Sequence, residues 1–442
     1  MNSLSDNFEP RLQSAWRRTD DLFALLKPEA LLAQPIVWRH PFIFYAGHLP
    51  AFAWNQICGS LKRSSFNPYF DEIFCRGIDP DIDTGNCHPH PDVPEGWPDL
   101  AEIIGYRDSV RGAVLETLAD AGSANGKNGA RPNSRFFSIV LEHEMMHQET
   151  QLYMAQELPL ELKARPEGLV YSFRGGEKAG EIEIRAGKAT LGASAESIEF
   201  GWDNEFQEQT VEVRSFKMDS TPITNGQFFD FVESGAYEDP QYWSREDWTW
   251  KSREQLRRPN FWRKIDGAWF YRGLFDLLPL ESVSAWPVYV SLAEARSYAR
   301  WKGKRLPTEA EYNRAAFAGP DGDEAAFPWG EDAPSSENGN FAFAYWSPAP
   351  VGSNAKGASA WGVHELVGNG WEWTETPFAP FPGFVPLESY PRYSTDFFDG
   401  KHFVLKGASW ATPLPLLRKS FRNWYQAHYP YVFAKFRCVS DG

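Results

Sequence analysis

The sequence predicts an α+β protein of two domains, a helical bundle over residues 1–165 followed by a mixed domain over residues 168–442. Three observations carry this. The N-terminal third places apolar residues at helical spacing in long segments. Pro159 to Arg165 then breaks that pattern. From Gly168 onward short alternating runs, capped helices and dense turns take over. At 442 residues the chain also exceeds what one hydrophobic core usually organises.

The first helix is expected over Phe8 to Leu26, where Leu12, Trp16, Leu22, Phe23, Leu25 and Leu26 recur near the 3.6 period. A second, Ile43 to Leu61, is apolar around His48. A third runs from about Leu100 to Leu118 and a fourth from Arg135 to about Gln156. Together they suggest an up-and-down four-helix bundle. The stretch Asp79 to Pro98, rich in Pro, Asp and His, has no periodicity, and a loop of that length in a compact domain is usually functional or disordered. Gly122 to Asn133 is a second loop. In the later part, Glu181 to Arg185 and Thr210 to Arg214 alternate as strands do. Ser291-Leu-Ala-Glu294 and Thr308-Glu-Ala-Glu311 each fit a capping box, a hydroxyl at the N-cap and a carboxylate three residues on.

Composition removes several function classes. The formal charge of −15 at pH 7, with no dense basic run, argues against nucleic acid. No apolar stretch reaches the length of a membrane span. The N-terminal MNSLSDNFEPRL lacks an export signal. Four scattered cysteines, Cys58, Cys75, Cys87 and Cys438, suit a reducing compartment, so a cytoplasmic location is expected. Aromatic residues make up 16% of the chain, enough to line a pocket for a planar or cationic ligand as well as fill cores.

The sharpest local signal is Leu141-Glu-His-Glu-Met-Met-His-Gln-Glu149. His143 and His147 are four apart, so on a helix their imidazoles share one face, as two ligands of one ion must. The string His143-Glu-Met-Met-His147 also matches the zinc-protease pattern with Glu144 as general base. Pro159 soon ends that helix, and Glu157 or Glu161 make poor third ligands. A better third ligand lies upstream in Phe44-Tyr-Ala-Gly-His48, on the second helix of the bundle. Three imidazoles with open positions suit iron(II), although ligand type alone also allows zinc or copper.

With His48, His143, His147 and Glu149 in view, the first domain resembles the DinB-type bundle of the ergothioneine and ovothiol sulfoxide synthases. The second resembles the formylglycine-generating-enzyme fold that these synthases carry, a C-type-lectin-like mixed domain. The strings that support it are Pro222-Ile-Thr-Asn225, Trp286-Pro-Val288, Arg305-Leu-Pro-Thr-Glu-Ala-Glu311, Phe327-Pro-Trp-Gly330, Gly368-Asn-Gly-Trp-Glu-Trp373, Gly407-Ala-Ser-Trp410 and Ser420-Phe-Arg-Asn-Trp424. Formylglycine generation itself is not expected, because it needs a cysteine pair near the C-terminus and only Cys438 stands there. The resemblance implies an Fe(II)- and dioxygen-dependent enzyme, an oxidoreductase that joins a chalcogen donor to the imidazole of hercynine or histidine. It also implies that a tyrosine of the second domain serves the iron site, with Tyr390 as first counterpart and Tyr393 as second. Asn423 and Trp424 match the family's site for the carboxylate and trimethylammonium end of hercynine. Glu149 is expected to orient a ligand.

Three departures bear on the donor. Synthases that use γ-glutamylcysteine carry an acidic residue where this chain has Tyr425. They also have closely spaced arginines after the second helix, where only Arg76 stands here. The residue before the last histidine, often Gln, is Met146. Losing cationic clamps fits a donor without carboxylates, such as the selenosugar of the related selenoneine synthases, with His88, His90, Asp81 and Asp83 as candidates to contact sugar hydroxyls. Cysteine or γ-glutamylcysteine ranks next. Histidine plus cysteine ranks lower, because ovothiol enzymes usually carry a methyltransferase domain not seen in this sequence.

Overall fold

A computed structural model describes residues 4–59, 61, 63–75, 79–81, 86–88, 96–122, 134–173, 175 and 180–442. The chain divides into two compact units, Met1–Pro166 and Glu167–Gly442. Arg76, Asp83, His90 and the side chains of Asp81 and His88 lie outside the described residues.

The first unit holds α1 (Leu4–Ala24), α2 (Phe42–Ala53), α3 (Pro68–Ile73), the antiparallel strands β1 (Asp79–Asp81) and β2 (Asn86–His88), α4 (Leu100–Gly122) and α5 (Ser134–Glu157). The expected second helix is corrected at its end. Pro50 withholds one amide from the hydrogen-bond ladder, the α-helix stops at Ala53, and Trp54–Gly59 continues as a π-helical turn. Such turns often mark functional positions. The short α3 was not expected. Asn67 caps it, accepting from the Phe70 amide at 3.2 Å, and Pro68 occupies the first turn.

Helix α2 is buried at every position but Ala46, so it is the central element of this unit rather than an amphipathic one. Helix α5 is buried from Phe137 to Gln156 except at Met146 and His147. Helices α1 and α4 brace this core. Asp20 of α1 pairs with Arg111 at 2.7 Å and Arg107 at 3.1 Å on α4, and Gln148 of α5 donates to the Ala15 carbonyl at 2.9 Å.

The second unit continues with β3 (Glu181–Ile184), β4 (Gly187–Leu191), β5 (Gln209–Val213), β6 (Phe216–Asp219), α6 (Asn225–Glu233), α7 (Arg245–Arg253), β7 (Trp262–Ile265), β8 (Ala268–Arg272), β9 (Leu277–Pro279), α8 (Leu292–Trp301), α9 (Glu309–Ala316), β10 (Gly370–Pro377), β11 (His402–Ala408), β12 (Asn423–Gln426), β13 (Ala434–Lys435) and β14 (Val439–Asp441). Its largest sheet runs β12-β11-β10-β13, with β13 parallel to β10 and β12 on the edge. A core cluster of Ile184, Phe216, Met218, Tyr312, Val363, Leu366 and Val439 packs α9 against the β3-β6-β14 sheet. Both capping boxes at Ser291 and Thr308 form. Helix α6 carries a third, Thr224 with Gln227, and α7 is capped by Ser244. The turn into β10 needs glycine at Gly370, where φ is +135° and a Cβ would sit 2.8 Å from the Tyr289 ring.

Candidate metal centre

Helix α2 contributes His48, and α5 contributes His143 and His147 one turn apart, so three imidazoles converge inside the helical unit. Their ring centroids lie 5.1 Å (48–143), 4.9 Å (48–147) and 4.5 Å (143–147) apart. One ligand atom from each falls within 4.8 Å of the others, the one such group of His, Cys, Asp or Glu among the described residues. Aromatic rings fix two of the three. Phe52 lies flat on His143 at 3.5 Å and 9°, and Phe44 stacks on His48 at 5.0 Å and 18°.

Burial drives these imidazoles to the neutral form, which is the form that binds metal. Desolvation pulls His48 down to about 4, although its bond to Phe74 opposes the shift. His143 and His147 fall well below the usual histidine range, first through burial and then through their neighbouring imidazoles. His48 Nδ1 lies 2.7 Å from the Phe74 carbonyl and donates to it, so Nε2 is left as the ligand nitrogen. Nδ1 of His147 is buried without a hydrogen-bond partner. Such an orphan costs about 1–3 kcal/mol, a cost a site for a cation would offset. The donor set therefore fits one divalent transition-metal ion.

The protease alternative separates at Glu144. One residue past His143, it points away from the shared histidine face. It is buried and hydrogen-bonds Thr19 of α1, and desolvation raises its carboxyl. A general base for metal-bound water is not placed there. Glu149 is buried on α5, and Met146 is half-exposed beside His147.

Sequence reasoning missed Gly47, Phe52 and Phe74, because their role is non-local. A Cβ on Gly47 would stand 2.4 Å from the Phe74 ring, so only glycine lets that residue close on α2 and present its carbonyl to His48. Gly47→Ala is expected to displace Phe74 and weaken divalent-metal binding by about 10- to 100-fold, measured by metal titration of the metal-free protein. Unchanged affinity would show that the Phe74 bond does not orient the ligand.

In the second unit, the expected substrate residues fall on two sides of one strand. Trp424 stacks on Phe378 at 4.3 Å and 7°, with Tyr393 edge-on at 5.3 Å and Phe397 at 5.4 Å. Tyr390 is half-exposed, 5.7 Å from Tyr393. Alternation along β12 sends Asn423 and Tyr425 to the face opposite Trp424. Tyr425 stacks there on Tyr429 at 5.2 Å and 11°, while the Asn423 side-chain Oδ1 accepts from the Trp424 backbone amide at 2.9 Å. The structure thus brings Tyr390, Tyr393 and Trp424 together and places Asn423 and Tyr425 on the other face of β12.

A clamp that no local pattern announces holds the Tyr390–Tyr393 turn. Trp202 stacks on Tyr393 at 3.9 Å. Asp203, buried, accepts from the Ser394 hydroxyl at 2.5 Å and the Leu387 amide at 3.2 Å. Asp203→Ala should destabilise the protein by about 1–3 kcal/mol and lower turnover with metal content unchanged. Melting curves beside metal analysis check this, and full activity would show that the clamp does not position the turn.

Three neutral imidazoles inside a helical bundle, two of them fixed by stacked aromatic rings, form a histidine-only group that could hold one metal ion. Comparisons then place the chain. Residues 168–442 match the sulfatase-modifying factor enzyme 1-like domain and residues 11–150 the DinB superfamily. A hercynine oxygenase of Mycobacterium tuberculosis is 36% identical over 347 residues, covering 77% of this chain and 78% of that protein. Ergothioneine biosynthesis protein 1 of Neurospora crassa is 31% identical over 497 residues, covering 94% of this chain and 56% of that protein. Its counterpart in Schizosaccharomyces pombe is also 31% identical, with 94% and 54% covered. The chain therefore spans little more than half the length of these two fungal relatives. It belongs to the family of hercynine oxygenases and ergothioneine biosynthesis proteins, with the helical bundle and mixed domain of the α+β class read from its sequence.

Proposed function

We propose that the protein is an iron(II)- and dioxygen-dependent synthase that forms a carbon–selenium or carbon–sulfur bond at the imidazole ring of hercynine. The observation that carries this reading is the cluster of three neutral histidines in a chain 36% identical to a hercynine oxygenase. His48, His143 and His147 hold the metal. Iron bound there supplies redox chemistry toward dioxygen and a positive charge that favours imidazole and chalcogenolate ligands.

The residues of the chain do the remaining work. Phe74 and Phe52 keep His48 and His143 in orientation, and the surrounding rings limit water. Trp424 offers its ring to the trimethylammonium group of hercynine, and Asn423, on the other face of β12, is the family-matched candidate for its carboxylate end. Tyr390 supplies a proton or electron, with Tyr393 as the second candidate, and Met146 borders the substrate. The imidazole C–H and the donor S–H or Se–H are lost as the new bond forms; their two protons and two electrons pass to dioxygen, which leaves as hydrogen peroxide, or as one water when its other oxygen atom is kept on the chalcogen.

A selenosugar is ranked first as donor, because the position that is acidic in γ-glutamylcysteine users is Tyr425, engaged with Tyr429. Cysteine or γ-glutamylcysteine comes second. A cytoplasmic location completes the reading. It is supported by the free thiols of Cys58 and Cys438. No described helix is long and apolar enough to cross a membrane.

The test is anaerobic loading with iron(II), then oxygen uptake and product mass with hercynine and each donor in turn. Turnover with the selenosugar alone supports a selenoneine-forming enzyme. Turnover with a thiol alone assigns it to sulfur. No uptake with any donor overturns the proposed reaction.

A further inference from the structure

The helical unit contains a pocket of about 230 Å³, partly open to solvent along half-buried Phe23, Leu26, Leu31 and Ile104, that the histidine chemistry leaves unexplained. Phe23, Leu26, Leu31, Leu49 and Ile104 supply much of its wall, and Tyr45 borders it. Arg107 and Arg111 reach its edge, but Asp20 pairs with both, at 3.1 Å and 2.7 Å, and Asp108 pairs with Arg107 at 2.8 Å, so two carboxylates balance the two guanidiniums and little charge is left to attract an anion. An engineered apolar cavity of about 150 Å³ stays dry and takes benzene or xenon. The guest this cavity suits is therefore small, uncharged and apolar.

Its location narrows the choice. The Tyr45 ring lies 5.5 Å from the His147 ring and 6.4 Å from the His48 ring, and Tyr45 itself is almost fully buried. The same side chain lines the cavity, so Tyr45 is a wall shared between an apolar chamber and two of the three imidazoles. Leu49, another lining residue, directly follows His48 on α2. Polar substrates have a different way in, since Met146 and His147 are the only residues of α5 between Phe137 and Gln156 that are not buried. Once those substrates occupy the open side, a gas needs a route of its own.

We infer that this cavity is a holding site for dioxygen, which passes Tyr45 to reach the three histidines. The inference rests on the dioxygen-dependent reading above. It needs no charged group and no movement larger than a rotation of one buried ring.

Xenon stands in for dioxygen in the metal-free protein, followed by 129Xe NMR. Wild type should show a saturable shift. Ile104→Phe and Leu31→Phe, which fill the cavity from α4 and from the loop before α2, should abolish it. Both variants should retain wild-type circular dichroism, iron(II) content and hercynine KM, while the KM for dioxygen rises severalfold. Two variants on separate elements guard against the misfolding of one. Absence of saturable xenon binding in wild type overturns the holding site. Filled variants with an unchanged KM for dioxygen overturn the route. Should wild type consume no dioxygen with any donor, the proposed reaction fails and dioxygen with it, while the xenon shift still decides whether the cavity holds an apolar gas.

Discussion

Replacing His143 with alanine is expected to abolish both iron content and turnover, and no other single substitution should cost more function. The side chain supplies one of three ligands, and its ring lies flat against Phe52 at 3.5 Å, so no nearby group can take its place. The same geometry sets a sign for stability. In the metal-free wild type, the unpartnered Nδ1 of His147 is a buried polar group left unsatisfied. His147→Phe removes it and keeps a ring, so the metal-free variant should melt no lower than metal-free wild type. Iron(II) should then raise the melting temperature of wild type alone. At free metal one hundred times Kd the gain is about 2.7 kcal/mol. Calorimetry with and without metal, beside iron analysis, reads both effects. Retention of iron and activity by His143→Ala would overturn the ligand assignment. A metal-free His147→Phe that melts far below wild type would show these histidines to be structural.

What the sequence made legible was what is local. The boxes at Ser291 and Thr308 need only a hydroxyl and a carboxylate three residues apart, and both form as expected. The i, i+4 spacing of His143 and His147 needs only a helix, and α5 supplies it. Some missed elements carried equally local signals. Thr224 with Gln227 starts α6 with a box in which an amide replaces the carboxylate, Ser244 caps α7 by accepting from the Asp247 backbone amide, and Asn67-Pro68 is a capped first turn. The end of α2 was harder, since its apolar run continues past Ala53 and gives no hint that Pro50 and the π-turn change the register. The rest depends on contacts that no short-range pattern encodes. Phe74 meets His48 from 26 residues away, and Asp203 meets Ser394 from 191 residues away. Tyr425 shows a further limit. As a letter beside Asn423 and Trp424 it reads as part of one motif, whereas strand alternation turns it toward Tyr429.

Tyr390→Phe is expected to lower turnover by about 100-fold or more, the range for removing a positioned proton donor, with iron content and hercynine affinity unchanged. The paired substitution Tyr393→Phe should cost far less. Tyr393 is buried, with its ring flat on Trp202 at 3.9 Å and edge-on to Trp424, and phenylalanine preserves both contacts. Tyr390 sits half-exposed at the start of the same turn, where a hydroxyl can meet a substrate and a ring has less packing to lose. Loss of a hydroxyl that acts in the reaction lowers kcat, whereas loss of one that only packs shows in the melting temperature. Single-turnover kinetics and melting curves on the two variants therefore separate the roles. If Tyr393→Phe loses turnover and Tyr390→Phe keeps it, the donor is the buried tyrosine, and the stack on Trp202 becomes the means of holding its hydroxyl in place. If neither loses turnover, the proton or electron does not come from this turn, and the clamp from Asp203 serves binding rather than chemistry.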